Sequence, residues 1–258
     1  MAAGGLGVAR TLEEYRAKYR QMRSAPNVRR LLATGAVWAG WDDHEVGNDY
    51  AGNDPALDRN QQAAAYRAFF EYMPLSTDQT SAGDPYRTYR SFRYGSAAEF
   101  FLVDERQYRD VSAQSACGNN PDPLGFSLGL LTLDAACRSL LSAPRDMLGP
   151  PQHAWLRNGL KHSTAAVKFV VNNVPFTHIG VSPYDRWDGY DAQRRELLEF
   201  IDANRIENVI FLTTDIHANA LNPDLSYYLR RYRSDYRLGN QMSPAEILAE
   251  QRRIVRRS

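Results

Sequence analysis

The sequence predicts an α/β fold, a layered arrangement of sheet and helices. Three observations carry the α/β part of that expectation. Short apolar runs rich in β-branched residues alternate with amphipathic helical stretches, most clearly from Gln152 to Thr213. Several of those runs end in polar, acidic residues, which is where such folds collect their sites. At 258 residues and 43% hydrophobic content, the chain can also bury one sizeable core.

Taken in order, Leu12, Tyr15, Tyr19 and Met22 recur at three- and four-residue spacing, with Thr11 placed to cap, predicting a helix of about three turns. Ser24-Ala25-Pro26-Asn27 ends it, and a second short helix follows around Val28 to Leu32. Ala36-Val37-Trp38-Ala39-Gly40-Trp41 has the length and apolarity of a buried strand, and it empties into Asp42-Asp43-His44-Glu45. Asn60 to Tyr72 reads as helix, stopped by Pro74. Tyr86 to Phe92 and Ala98 to Val103 read as strands joined through Gly95, the second ending at Asp104. From Ser112 to Pro144 the periodicity fades, and Gly118, Pro121, Pro123, Gly125 and Gly129 mark a long irregular insertion. Beyond it come a helix over Gln152 to Leu160, a strand over Ala165 to Val174 ended by Pro175, and a helix over Gln193 to Ala203. A strand over Asn208 to Thr213 then leads into Asp215-Ile216-His217. Tyr227 to Arg257 is Arg- and Tyr-rich, with little apolar periodicity beyond Ile247, Leu248 and Ile254; a solvated helix or frayed tail is expected.

Thirty-one basic against 30 acidic residues leave a net charge of +1, so no overall field favours nucleic acid or an anionic membrane. No run approaches the roughly 20 apolar residues of a membrane span, and the opening residues contain no signal-peptide core. Cys117 and Cys137 fit either two reduced thiols or one disulfide closing a loop of about 20 residues.

Chemistry concentrates in Asp42-Asp43-His44-Glu45 and Asp215-Ile216-His217. Carboxylates packed beside low-dielectric surroundings repel one another unless a positive group or water relieves them. A hard or borderline metal ion uses such oxygen and imidazole donors, and it can lower the pKa of bound water towards neutrality.

The string Trp41-Asp42-Asp43-His44-Glu45-Val46 resembles the WDDHE signature of PhoD-type alkaline phosphatases, within the calcineurin-like metallophosphoesterases. Thr11-Leu12-Glu13-Glu14-Tyr15-Arg16, Asp104-Glu105-Arg106-Gln107-Tyr108-Arg109 and Arg145-Asp146-Met147-Leu148-Gly149 join it in family order. Asp185-Arg186-Trp187-Asp188-Gly189-Tyr190 and Leu212-Thr213-Thr214-Asp215-Ile216-His217 complete the set. The resemblance covers about residues 10 to 222, with 223–258 an atypical tail, and it implies a layered αββα sandwich. It also implies a metal-dependent hydrolase of phosphomonoesters or phosphodiesters using iron with calcium, or a similar pair. In that role Asp43, Asp215 and His217 are metal ligands, His44 assists at the leaving group, and Arg106, Arg145 and Asn173 contact substrate phosphate. Small phosphoesters are the implied partners, with no nucleic-acid specificity. Secretion or a cell-envelope location is implied too, and with it a bridge between Cys117 and Cys137. Family members carry, ahead of the part matching Arg10, a first-metal strand and a GDxxx strand end whose Asp bridges two metals. No counterpart of either stands there, so the fold is expected to be incomplete at its N-terminus. A catalytically inactive fragment or binding module is the alternative.

Overall fold

The computed structural model describes residues 8–75, 83–113, 143–177 and 183–215. Helix α1 (Leu12–Ser24) starts at Thr11, whose hydroxyl accepts from Glu14 N while Glu14 Oε2 accepts from Thr11 N at 2.9 Å, a reciprocal cap. Helix α2 (Pro26–Thr34) begins with Pro26, which has no N–H to leave unsatisfied. Helix α3 (Arg59–Tyr72) is capped by Asp58 and packs on α1. Between α1 and α3 lies an aromatic core of Tyr15, Tyr19, Trp41, Tyr66 and Phe69.

Four strands make one sheet: β1 (Arg90–Tyr94), β2 (Ala98–Leu102), β3 (Val167–Val171) and β4 (Val209–Leu212), in that spatial order. Strands β1 and β2 form an antiparallel hairpin turned at Gly95, whose φ of +56° favours glycine. Strands β2, β3 and β4 run parallel, with helix α4 (Gly149–His162) preceding β3 and α5 (Asp191–Ala203) preceding β4. Both helices bury their apolar stripes on one face of the sheet. Leu156, Leu160, Leu197 and Ile201 meet Phe101 and Val170 there. Gly159 permits the approach, since a Cβ at that position would press into the Phe101 ring. Two short 3-10 turns, Pro183–Asp185 and Trp187–Tyr190, lead into α5.

On the other face, Phe92, Phe100, Phe169 and Ile210 stand in register across all four strands. The Phe92 and Phe100 rings stack at 4.8 Å between centroids, Phe100 and Phe169 at 4.7 Å, and the half-exposed Trp38 lies on Phe92 at 3.7 Å.

The strand expected over Ala36 to Trp41 is not one. That stretch is extended but joins no ladder. Side chains fix it instead: Arg90 donates to Ala39 O at 2.7 Å, Trp38 stacks on Phe92, and Trp41 donates to Asp104. Of this run Trp41 alone is buried, and aromatic packing rather than strand pairing holds the stretch in place. The first hairpin strand likewise begins at Arg90, not Tyr86. Within the expected insertion, residues 114–142 lie outside the described residues, as do Cys117 and Cys137. Among the described residues, no helix is long and apolar enough to cross a membrane.

Candidate metal centre

The candidate centre forms where β2, β3 and β4 end, and its foundation is Asp104. This wholly buried carboxylate accepts from Trp41 Nε1 at 2.8 Å, Thr88 Oγ1 at 2.6 Å, and the backbone N–H groups of Arg106 and Gln107. Gln152 of α4 clasps its backbone from both sides, accepting from Asp104 N and donating to Asp104 O. Asp104 thus ties the WDDHE segment, the sheet and α4 together, while the two residues after it reach into the site.

The acidic segment turns back on itself at once. Asp43 O accepts from Val46 N and Gly47 N, and Glu45 reaches back to accept from Asp42 N at 2.8 Å. Asp43 Oδ1 accepts from His44 N at 2.8 Å and Oδ2 from Asp49 N at 2.9 Å, so the carboxylate is oriented by its own loop. Gly52 then crosses the Arg106–Arg109 strand end so closely that a Cβ would fall on the Gln107 carbonyl, with Gly52 N donating to Arg106 O at 2.7 Å.

Five carboxylates gather around two buried guanidinium groups. Arg106 pairs with Asp42 Oδ1 and Asp185 Oδ1, both at 2.6 Å, and its Nη2 stands 4.0 Å from Asp43 and 3.9 Å from Asp215. Arg109 donates to Asp185 Oδ1 and to the Asp49 carbonyl, each at 2.6 Å. One oxygen each from Asp43, Asp49 and Asp185 can be chosen so that all three lie within 4.8 Å of one another.

The charge balance shows in the carboxyl groups. Burial works to raise Asp185, yet Arg109 and Arg106 together hold it below the usual range. Asp42 shares Arg106 with the other acids, and burial with the neighbouring Asp43 pushes it up to about 7. Despite its burial, Arg106 is held more firmly protonated by Asp185 and Asp42, while Asp42 shifts upwards because its burial outweighs the nearby guanidinium. Asp49 rises to about 6 through burial and the charges of Asp185 and Asp43. Glu105 is raised to about 8 by burial, against the N–H groups of Val174 and Asn173 and the indole of Trp187, all of which it accepts. Both Asp49 and Asp215 hold φ at +55°, a left-handed conformation Asp tolerates but does not favour.

An excess of hard oxygen donors, raised carboxyl pKa values and strained acidic residues in one pocket together suit a hard cation. Asp43, Asp49 and Asp185 are the residues placed to hold it.

The structure brings Asp43 and Asp215 to the same nitrogen of Arg106, and His44 lies beside Asp43 with its Nε2 3.9 Å from Oδ2 and its side chain half exposed. Asn173 sits at the rim, its Nδ2 beside Gly40 and its carbonyl accepting from Thr214 Oγ1 at 2.6 Å. Asn172 instead turns into the sheet, donating to Val170 O and Leu212 O. Arg145 stands elsewhere, donating to Gly189 O and Val111 O with its guanidinium over the Tyr190 ring. His217 and His178 lie outside the described residues. Sequence reasoning assigned no metal role to Asp49 or Asp185. Asp185 opens one of the motifs given above and Asp49 lies four residues after Glu45, but only the path of Arg106 and Arg109 shows that Asp185 converges with the acidic loop.

Residues 5–243 match the PhoD-like phosphatase family. The chain belongs to that family. It is 36% identical over 222 residues to alkaline phosphatase D of Bacillus subtilis (strain 168), a match covering 81% of this chain and 36% of that protein. A solved structure described as that of PhoD matches with a TM-score of 0.63 at 33% identity, covering 81% of this chain and 40% of the other. The chain therefore spans little more than a third of the length of the curated relative.

Proposed function

We propose that the chain forms the acidic part of a metal-dependent phosphoester hydrolase centre acting on small phosphomonoesters or phosphodiesters. The observation that carries this reading is the convergence of Asp43, Asp49 and Asp185 around the Arg106–Arg109 pair. These three carboxylates would hold a hard cation, iron with calcium being the pair that family membership suggests, with Asp215 beside them and His217 as a further ligand. Such a cation supplies charge for a phosphoryl oxygen and acidity for a bound water. His44, half exposed next to Asp43, is placed to give a proton to a departing oxygen. Arg106 keeps the carboxylates at fixed spacing, its buried Nη2 standing beside Asp43 and Asp215 rather than open to a phosphate. Asn173 at the rim is a polar contact for the phosphate, whereas Arg145 serves the framework around Tyr190. Family membership also supports export of the protein.

The test assays the full chain on p-nitrophenyl phosphate and its diester analogue with iron and calcium supplied, alongside Asp43→Asn, Asp49→Asn and His44→Ala. Metal-dependent turnover that falls at least about 100-fold in either Asp variant is expected. Titration of metal and inorganic phosphate without any turnover would instead make the chain a binding module.

A further inference from the structure

Glu105 takes no part in the acidic cluster, yet it is wholly buried and both of its carboxyl oxygens are engaged. Oε2 accepts from Asn173 N at 2.6 Å and from Val174 N at 2.8 Å, while Oε1 accepts from the Trp187 indole. A carboxyl group is costly to bury unless its oxygens find donors. None of these donors is local: they come from the end of β3 and the turn ahead of α5, 68 to 82 residues along the chain. Trp187 is itself held, its ring 5.1 Å from that of Phe176 and its N–H donating to Pro175 O at 3.4 Å. Glu105 therefore has one place to go, and it ties the end of β3 to that place.

What the tie controls is the amide of Asn173. Its Oδ1 accepts from Glu105 N at 3.4 Å, and its backbone carbonyl accepts from Thr214 Oγ1 at 2.6 Å. With the oxygen committed to Glu105, Nδ2 is the other end of the amide; it lies beside Gly40 and donates to no described residue. Gly40 comes two residues before Asp42, and Thr214 comes immediately before Asp215, so Asn173 adjoins the entry to both acidic segments. The orientation matters because the two ends of an amide are opposite in kind: N–H2 donates to an anionic oxygen, whereas a flipped amide would set its carbonyl against it. A turn free to shift would lose that distinction.

We propose that Glu105 is a positioning residue, clasping the Asn173–Val174 turn against Trp187 so that the Asn173 amide presents Nδ2 to the phosphoryl group of the substrate. The proposal rests on the hydrolase reading above, with Asn173 as its phosphate contact. A mutant cycle in the full chain tests it, with iron and calcium supplied. The readouts are KM and kcat for p-nitrophenyl phosphate and, by calorimetry, the Kd of inorganic phosphate. Asn173→Ala should raise KM and weaken phosphate binding about 10-fold with kcat nearly unchanged, the signature of a contact made equally in ground and transition states. Glu105→Ala should do the same. Glu105→Gln keeps an acceptor for the Asn173 and Val174 N–H groups but sets its own amide N–H2 against the Trp187 indole, so it should lose less, about 3-fold. Added to Asn173→Ala, neither substitution should weaken binding further. Should Glu105→Ala not fold, the cycle with Glu105→Gln decides. Additive effects of Glu105 and Asn173 would overturn the proposal and leave the hydrolase reading standing. An Asn173→Ala variant that binds phosphate like the parent would overturn it too, and would remove Asn173 as a contact. A parent chain that neither binds phosphate nor turns over would instead sink the hydrolase reading, and the proposal with it.

Discussion

Arg106 is the residue on which the site's electrostatics turn. Its side chain is wholly inaccessible and faces four carboxylates, so it holds the site together by charge rather than by packing. Removing one partner from a buried ion network leaves the others uncompensated, at a cost of about 3–5 kcal/mol. Arg106→Met is therefore expected to lower the midpoint of urea unfolding strongly, and a shift within experimental error would show that the network is solvated. Glu105 makes a different case. Its carboxyl lies well above the usual range in the folded state, so the folded protein holds this proton through pH values where the unfolded chain has lost it. Its contribution is complete below about pH 4.5 and is lost as pH rises through about 8. Unfolding of Glu105→Gln followed from pH 5 to 9 should lack that decline; an identical slope in the parent and the variant would mean that the three donors keep Glu105 ionised.

At the scale of elements, legibility followed the kind of interaction that makes each one. Helices α1 to α5 of the described residues were readable because three-to-four spacing, and for α1 the Thr11 cap, are local. Strands β2, β3 and β4 were readable because aromatic and β-branched runs bounded by turn residues are local too, and they came out within a few residues of the expected bounds. The stretch before the acidic loop was misread because the half-exposed Trp38 and the buried Trp41 are held by distant partners, Phe92, Tyr66 and Asp104, which no local pattern reveals. The same holds within the site. The WDDHE string marked Asp43 and His44 as candidates, and Asp49 reaches Asp43 through a hydrogen bond within the same loop, whereas Asp185 joins them only through Arg106 and Arg109, 79 and 76 residues before it. Local signals also set a prediction: Thr11→Ala removes the reciprocal cap of α1 and should cost about 1 kcal/mol, measurable by thermal unfolding. Gly52→Ala should cost more, about 3 kcal/mol, because its Cβ meets a backbone carbonyl that cannot swing aside. Equal effects of the two substitutions would show that the strand end yields.

For the molecule as a whole, the acidic pocket means that metal and protons act on stability in opposite senses. Without metal, Asp42 and Asp49 carry folded-state pKa values of about 7 and about 6 against an ordinary value of 3.8. Folding then takes up protons between pH 4 and 7, and the favourable contribution of these groups is lost as pH rises through that window. A hard cation held by Asp43, Asp49 and Asp185 reverses the sign, since it binds carboxylates and competes with protons. Its stabilisation grows with occupancy, reaching about 2.7 kcal/mol at a hundred times the dissociation constant. The metal-free and metal-supplied curves of stability against pH should therefore lie together near pH 4 and separate above about pH 6, the metal-free curve falling. Thermal unfolding with chelator and with calcium or iron across that range measures both curves. The separation should vanish in Asp43→Asn with Asp49→Asn, while the fall of the metal-free curve becomes shallower because fewer carboxylates crowd Asp42. Parallel curves at every pH would place the cation somewhere other than this pocket.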